Sequence, residues 1–404
     1  MRILYLHQFF MTRAGIGGTR SYEFARRFVS NGHDVTIVTA AQGDEPPRRI
    51  VDGVEVLAIR AGYADYVGAT KVGYGRRALA LARFAAAATL TVLRLPRPDV
   101  VYATSPPLTM ALPALVAARR HRAPLVFEVR DLWPEAPIQM GALANPLARR
   151  AARALERRVY RSAAHVIALS PGIRAGVIAA GTPPEKVTLV PNASDLELFS
   201  PALDGSAERE RLGVGDRFVC SYFGTMGEAN DLTQVIEAAA LLERRGENGV
   251  VFVLLGDGKR RAELEELAER RGARSVVFVD PVPDKSSVAR LAAASDACLT
   301  IFKDVPILYT CSPNKLFDTF AAGRAAIVNT PGWLQRLVED NEAGLYARHG
   351  DPADLAAKVV RLRDDPALTR RLGANGRRLA EREFSRDELA ERALGVLERA
   401  AAAR

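Results

Sequence analysis

The segment Ser312-Pro313-Asn314-Lys315-Leu316-Phe317-Asp318 gathers residue types that together could hold an anion. Serine is a preferred N-cap and proline fits the first helical position, so a helix is expected to start here. Its first backbone N–H groups would stand at the positive end of the helix dipole, with the Lys315 charge beside them, which makes a phosphate site. The i,i+3 and i,i+4 spacings from Lys315 and Asn314 to Asp318 put these side chains on one helix face. Backbone amides, ammonium, amide and carboxylate on one surface suit a diphosphate joined to a ribose. The same residues would also make a capped helix with an internal Lys–Asp pair.

Other positions point the same way. Gly15-Ile16-Gly17-Gly18 follows the first apolar run but lacks the GxGxxG spacing, so a hydride-transfer cofactor is poorly supported. Gly224 and Gly227 follow one apolar run of the second half, and Gly256-Asp257-Gly258-Lys259-Arg260 follows another. Glycine at such places permits close approach of backbone to a ligand. Lys259 and Arg260 either reach a phosphate or open the solvated face of a charged helix over Lys259–Arg271. Arg130, Asp131 and Glu135 lie on a loop stiffened by Trp133 and Pro134. They read either as contacts to sugar or acceptor hydroxyls, with Arg130 on a phosphate, or as an Arg–Asp structural pair. Asn192 reads as an Asx turn.

The elements that must position these residues alternate along the chain. Arg2–Leu6, Val35–Thr39, Val54–Ile59, Val100–Ala103, Pro124–Val129, His165–Leu169 and Val187–Val190 are expected strands, with helices such as Ser21–Val29 between most of them. Near-continuous apolar strands separated by helices mean βαβ units and a parallel sheet. A polar, turn-rich stretch over Ser200–Arg217 interrupts the pattern. It resumes with Phe218–Phe223, Val250–Leu255, Ser275–Val279, Ala297–Ile301 and Ala326–Asn329. Two doubly wound α/β domains in series follow, with ligands at the strand C-termini and an anionic ligand in the cleft between them.

Composition bounds the reading. A chain of 404 residues, 48% hydrophobic and 25% charged, is a globular protein too long for one ordinary core. The opening residues carry no signal-peptide pattern, and the cysteines at 220, 298 and 311 are scattered without metal-ligand spacing, which together point to a reducing cytoplasm. The formal net charge of +9 favours an anionic partner. Nucleic acid is not indicated, since the basic residues are not interleaved with aromatics and no recognition motif is present. Ala78–Leu95 is apolar but interrupted by Arg83, so a crossover helix is expected rather than a membrane span. Leu147–Arg161 sets Arg149, Arg150, Arg153, Arg157, Arg158 and Arg161 around an apolar stripe, a solvated face or a surface for anionic lipid.

Taken together, the chain resembles the GT-B-fold glycosyltransferases of family 4, and more narrowly the fucosamine-transferase-like branch linked to surface polysaccharide. The marks are Ile3-Leu4-Tyr5-Leu6-His7-Gln8 followed by Gly17-Gly18-Thr19-Arg20-Ser21-Tyr22-Glu23; Arg130-Asp131-Leu132-Trp133-Pro134-Glu135; Pro191-Asn192; Gly256-Asp257-Gly258; and the Ser312–Asp318 segment ending in Ala321-Ala322-Gly323. The tail from Gly350-Asp351-Pro352 to Arg382-Glu383-Phe384-Ser385 is similar to the family's closing helices.

The resemblance implies an acceptor-binding Rossmann-like domain over residues 1–200, a nucleotide-sugar-binding one over 201–385, and a helix over 386–404 that crosses back. Asp318 then holds the ribose, and Gly17 and Gly18 approach the donor phosphates and the sugar. The sequence departs from the family where Thr310 replaces the first motif glutamate. Thr225 and Ala229 or Asn230 stand where an arginine and a lysine usually neutralise the diphosphate, and Arg130 stands for the sugar-contacting histidine. Lys315 with Lys259 or Arg260 is the replacement supply of charge, joined at the donor site by Gly224, Ser312 and Asn314. Catalytic roles fall to Arg130, Asp131 and Lys315.

The implied activity is retaining, metal-independent transfer from a nucleoside-diphosphate sugar, UDP-linked by family habit, with no cofactor and no metal. The acceptor is a hydroxyl of a polyprenyl-diphosphate-linked saccharide or of a small molecule, reached from an anionic membrane surface in the first case. Two rivals remain open: a nucleotide-sugar epimerase using the Asp131 and Glu135 carboxylates, and a non-catalytic scaffold at the membrane surface.

Overall fold

The computed structural model describes residues 1–15, 17–60, 74–281 and 283–403, so Ile16 of the glycine loop and the last residue of the tail lie outside the described residues. The first half builds a sheet from β1 (Arg2–Leu6), β2 (Asp34–Ala40), β3 (Arg48–Val51), β4 (Val54–Ile59), β5 (Val100–Ser105), β6 (Leu125–Val129), β7 (His165–Ala168) and β8 (Val187–Leu189). Its order is β3-β4-β2-β1-β5-β6-β7-β8, parallel throughout except for the antiparallel β3–β4 pair. The second half builds another from β9 (Phe218–Phe223), β10 (Val250–Leu255), β11 (Val276–Val279), β12 (Ala297–Thr300), β13 (Ala325–Val328) and β14 (Gly344–Tyr346). That sheet runs β11-β10-β9-β12-β13-β14 with every pairing parallel.

The apolar runs form strands because both sheet faces are covered. Every residue of β5, β6 and β10 is buried, as a parallel sheet between helical layers requires. Two strands go beyond the sequence reading. In β3 no residue is fully buried, so it carries little apolar signal. In β14 the leading Gly344 lies so close to Ala326 that a Cβ would overlap the Ala326 carbonyl, a packing demand that hydrophobicity does not announce.

Parallel pairing puts the C-terminal ends of the strands on one edge of each sheet, where ligands bind in such folds. His7 follows β1, Arg130 follows β6, Gly224 follows β9 and Gly256 follows β10. Gly256 has φ +154°, and a Cβ there would overlap the Gly224 carbonyl. The two loops can lie this close only with glycine at that place.

The halves are stitched by specific polar contacts. Asn192 N donates to Ser312 Oγ at 3.0 Å, Ser194 Oγ to Asp318 Oδ1 at 2.9 Å, Lys285 N to the Arg13 carbonyl at 3.0 Å and Ile307 N to Gln139 Oε1 at 3.0 Å. The closing helix, Arg386–Ala402, returns to the first domain, where Leu389, Ala393 and Leu397 join the same core as Phe28. At its start the buried Arg386 guanidinium donates to Thr19 Oγ1 at 3.1 Å and to the Ala193 carbonyl at 2.7 Å.

Beside that junction, Glu23 is 1% exposed in its side chain and accepts from Arg13, Arg26 and Arg27, with Arg386 at 3.8 Å. Burial alone would raise its pKa, but the Arg13 hydrogen bond and the Arg386 and Arg26 charges bring it down to about 2. A carboxylate held below its unfolded value stabilises the fold above that value and loses this contribution as pH falls toward the folded one. Glu23→Gln should therefore cost on the order of 3 kcal/mol near neutral pH. Urea midpoints of variant and parent should converge as pH drops from about 5 toward 2, and a gap independent of pH would refute the assignment.

Candidate active site

The helix Asn314–Ala321 is anchored by Leu316, Phe317 and Phe320, all buried in the second domain's core. Its anchoring turns Lys315 toward β9. Lys315 Nζ donates to the Tyr222 hydroxyl at 2.7 Å, lies 3.9 Å from that ring's centroid and stands 3.5 Å from Asn230 Oδ1. The Tyr222 hydroxyl in turn donates to the Thr225 carbonyl at 2.7 Å. No carboxylate lies within ion-pair distance of this ammonium among the described residues. Burial accordingly pulls its pKa down to about 7. At Gly224, with φ +147°, a Cβ would come within 3.0 Å of Nζ, so glycine leaves the space in front of the ammonium open.

The first domain supplies the opposite wall. A Cβ on Gly18 would sit 3.5 Å from both Arg130 Nη2 and Asn314 Nδ2, so these donors from the two domains flank the glycine loop. Arg130 Nη1 meets His7 Nε2 at 3.2 Å, and His7 Nδ1 meets Ser21 Oγ at 2.7 Å. Like Lys315, Arg130 has no ion-pair partner among the described residues. Asp131 follows it without an ion pair or a side-chain hydrogen bond among those residues. Burial raises its pKa, against the pull of Arg130, and its charge helps raise that of Cys311 in the second domain. Beneath the site, Glu128 on β6 accepts from Arg20 at 2.9 Å, from Tyr102 at 2.7 Å and from Thr104 at 2.7 Å. Arg20 also donates to the Val190 and Pro191 carbonyls, tying the β6 end to the Pro191-Asn192 loop.

Several expectations are corrected by this geometry. Ser312 does not cap the helix: its hydroxyl accepts from Asn192 N, while Asn192 Nδ2 donates to the Ser312 carbonyl at 2.5 Å. Both contacts bind the domains together, so Asn192 is not in an Asx turn either. The helix instead starts at Asn314 with Pro313 before it and no side-chain cap, which leaves its first N–H groups for another acceptor.

Asn314, Lys315 and Asp318 do not serve one surface, and no Lys315–Asp318 pair forms. The Asp318 carboxylate is 1% exposed and held by Lys285 Nζ at 2.8 Å and by Ser194. A ribose diol would compete there with Lys285 on Oδ2 and Ser194 on Oδ1. Lys259 and Arg260 pair with Glu228 at 3.2 Å and Glu263 at 2.6 Å, surface pairs that are weak and easily exchanged. Lys315 Nζ lies beside Asn230, one of the two places where the resemblance puts the family's lysine, and Arg130 is a second cation without an ion-pair partner among the described residues. Arg130 and Asp131 are not an ion pair. His7 and Tyr222 carry roles the sequence reading did not assign; the one signal for His7 was its place directly after the first apolar run.

The comparisons with known proteins agree with this architecture. Residues 17–193 match the model of the glycosyl transferase 4-like domain, and residues 217–365 match that of glycosyl transferases group 1. The chain belongs to the family-4 type of GT-B glycosyltransferases. A D-inositol 3-phosphate glycosyltransferase of Thermomonospora curvata is 29% identical over 412 residues, covering 94% of this chain and 90% of that protein. An alpha-D-kanosaminyltransferase of Streptomyces kanamyceticus is 28% identical over 46% of this chain, and the match spans only 47% of that relative. Among solved structures, sucrose-phosphate synthase of Thermosynechococcus elongatus superposes with a TM-score of 0.81 at 19% identity, over 100% of both chains. HepE of Anabaena, solved with UDP-glucose, gives 0.74 at 21% identity over 98% of this chain and 99% of its own. This glycosyltransferase transfers sugar from a nucleotide-linked donor.

An anion placed before Lys315 favours the ammonium over the neutral amine, so binding takes up a proton wherever the free enzyme is deprotonated. Affinity for a nucleoside diphosphate should thus be full below pH about 7 and fall as pH rises above it. Calorimetric titrations between roughly pH 6 and 9 should show this decline, and Lys315→Arg, which stays charged, should flatten it. A parent affinity independent of pH would contradict the role of Lys315.

Proposed function

We propose that this enzyme is a retaining glycosyltransferase that moves a sugar from a UDP-sugar to a hydroxyl of a lipid-linked saccharide, in the manner of the fucosamine-transferase-like branch. The observation that carries the reading is a pair of cations without an ion-pair partner among the described residues: Lys315 beside Gly224 in one domain, and Arg130 beside Gly18 in the other, where Gly18 also faces Asn314 at the uncapped helix start. A leaving nucleoside diphosphate gains negative charge as the glycosidic bond breaks, and positive charge preorganised against it lowers the barrier. In this reading those side chains do the work of a metal ion. The acceptor oxygen forms the new bond on the face the diphosphate leaves, and its proton passes to the departing phosphate oxygen. Asp131, with no side-chain partner of its own, orients the sugar or the acceptor hydroxyl.

The acceptor half supports a membrane-borne substrate. No described helix is long and apolar enough to cross a membrane. Yet Leu79, Leu90 and Leu93 on the helix Tyr74–Arg94, Leu112 on Ala111–His121 and Leu147 on Pro146–Ser162 are exposed. The last of these helices also carries the arginine cluster, a combination suited to an anionic lipid face.

Thermal shift against UDP, GDP, dTDP and NAD tests the donor class. UDP at about a hundred times its dissociation constant should stabilise the protein by roughly 2.7 kcal/mol, and Lys315→Ala should remove the shift. In turnover, the same substitution should lower kcat by about 10²–10³-fold. No shift with any nucleoside diphosphate would overturn the proposal, and a shift with GDP or dTDP alone would overturn its UDP assignment.

A further inference from the structure

His7 sits directly after β1 and is 2% exposed. Its two ring nitrogens have different neighbours: Arg130 Nη1 at Nε2, 3.2 Å away, and Ser21 Oγ at Nδ1, 2.7 Å away. A guanidinium has only donors to offer, so Nε2 must be the bare nitrogen. The ring proton is then on Nδ1 and is donated to Ser21. Burial, followed by the Arg130 charge, holds the His7 pKa well below its ordinary value, which keeps this neutral form.

The consequence lies in what a neutral acceptor does to a cation. An arginine oriented by a carboxylate is also neutralised by it, as Arg20 is by Glu128 at 2.9 Å. Arg130 is oriented by a group with no charge, and its other side faces Gly18 and Asn314. It has no carboxylate within ion-pair distance among the described residues, although Glu128 and Asp131 feel its charge, and it loses rotamer freedom, the arrangement in which a donor costs least to order around a ligand.

We infer that His7 is a positioning residue: with Ser21 behind it, it aims the Arg130 guanidinium, which has no ion-pair partner among the described residues, at the diphosphate of the donor, so that each domain contributes one cation to the same ligand. This rests on the reading of the cleft as a diphosphate site, and the test separates the two. UDP binding is measured by calorimetry for the parent, Lys315→Ala, His7→Leu, His7→Gln, Arg130→Gln and the Arg130→Gln/His7→Leu double variant, each with its melting temperature. Gln offers an oxygen where Nε2 stood, while Leu fills the space and accepts nothing.

The expected result is that His7→Leu weakens UDP binding by about tenfold, the effect of one oriented charge-assisted contact. His7→Gln should restore affinity to within about threefold of the parent, and His7→Leu should add nothing once Arg130 is Gln, because the effect runs through that side chain. Parent-like binding by His7→Leu, equal losses in the Leu and Gln variants, or full additivity in the double variant would each overturn the inference. If the parent binds UDP and Lys315→Ala does not, those failures leave the diphosphate site standing. If the parent binds no nucleoside diphosphate, both fall.

Discussion

A buried ammonium without a carboxylate is the constraint around which this cleft is built. Lys315 is held by the Tyr222 hydroxyl and ring and by Asn230, none of which cancels its charge. Such a group is costly to leave in the unliganded protein, and burial brings its pKa down to about 7. The surroundings follow from keeping that charge reachable. Gly224 leaves open space in front of it, Gly256 lets the neighbouring loop fold against Gly224, and the Asn314–Ala321 helix begins without a side-chain cap. Each feature favours an anion arriving from outside.

The polar residues of the cleft divide by what they already touch. Ser312, Asn192, Ser194, Asp318 and Lys285 satisfy one another across the domain boundary. Arg20 and Glu128 do the same within the first domain, and Glu23 with Arg13 and Arg386 at the junction with the closing helix. Paired networks of this kind, in which Asn192 Oδ1 alone of these groups is left without a partner among the described residues, fix relative position, because each paired member is costly to expose once its partner leaves. Among the described residues, Lys315, Arg130 and Asp131 are set apart by having no partner of opposite charge within ion-pair distance, and under the proposed function they are the groups left to meet a substrate.

Much of the fold was legible because buried parallel strands must be apolar along their length. β1, β4, β9 and β10 fall where the apolar runs of the sequence put them. The strands β3 and β14 escaped notice because one is an exposed edge and the other is selected by close packing at a glycine. In the site, the importance of the Ser312–Asp318 segment could be read from residue types and spacing, since helix starts and cations have local signatures. Which neighbour each side chain takes could not. Ser312 looks like a cap, yet a backbone N–H 120 residues away claims its hydroxyl. Asp318 looks free for a ribose, yet Lys285 reaches it from another helix. Lys259 and Arg260 look available until Glu228 and Glu263 are seen beside them. His7 looks like the polar end of a strand, and only the fold brings Arg130 to it. Competition between partners distant in sequence decides these cases, except that Arg260 pairs with Glu263 three residues on.

The most direct test of the central claim is a crystal structure of the enzyme with UDP. The account places the diphosphate before the start of the Asn314–Ala321 helix, with Lys315 Nζ and the Arg130 guanidinium both within hydrogen-bond distance of its oxygens. A diphosphate seated instead on Lys259 and Arg260, with Lys315 still turned to Tyr222 and Arg130 untouched, would contradict it.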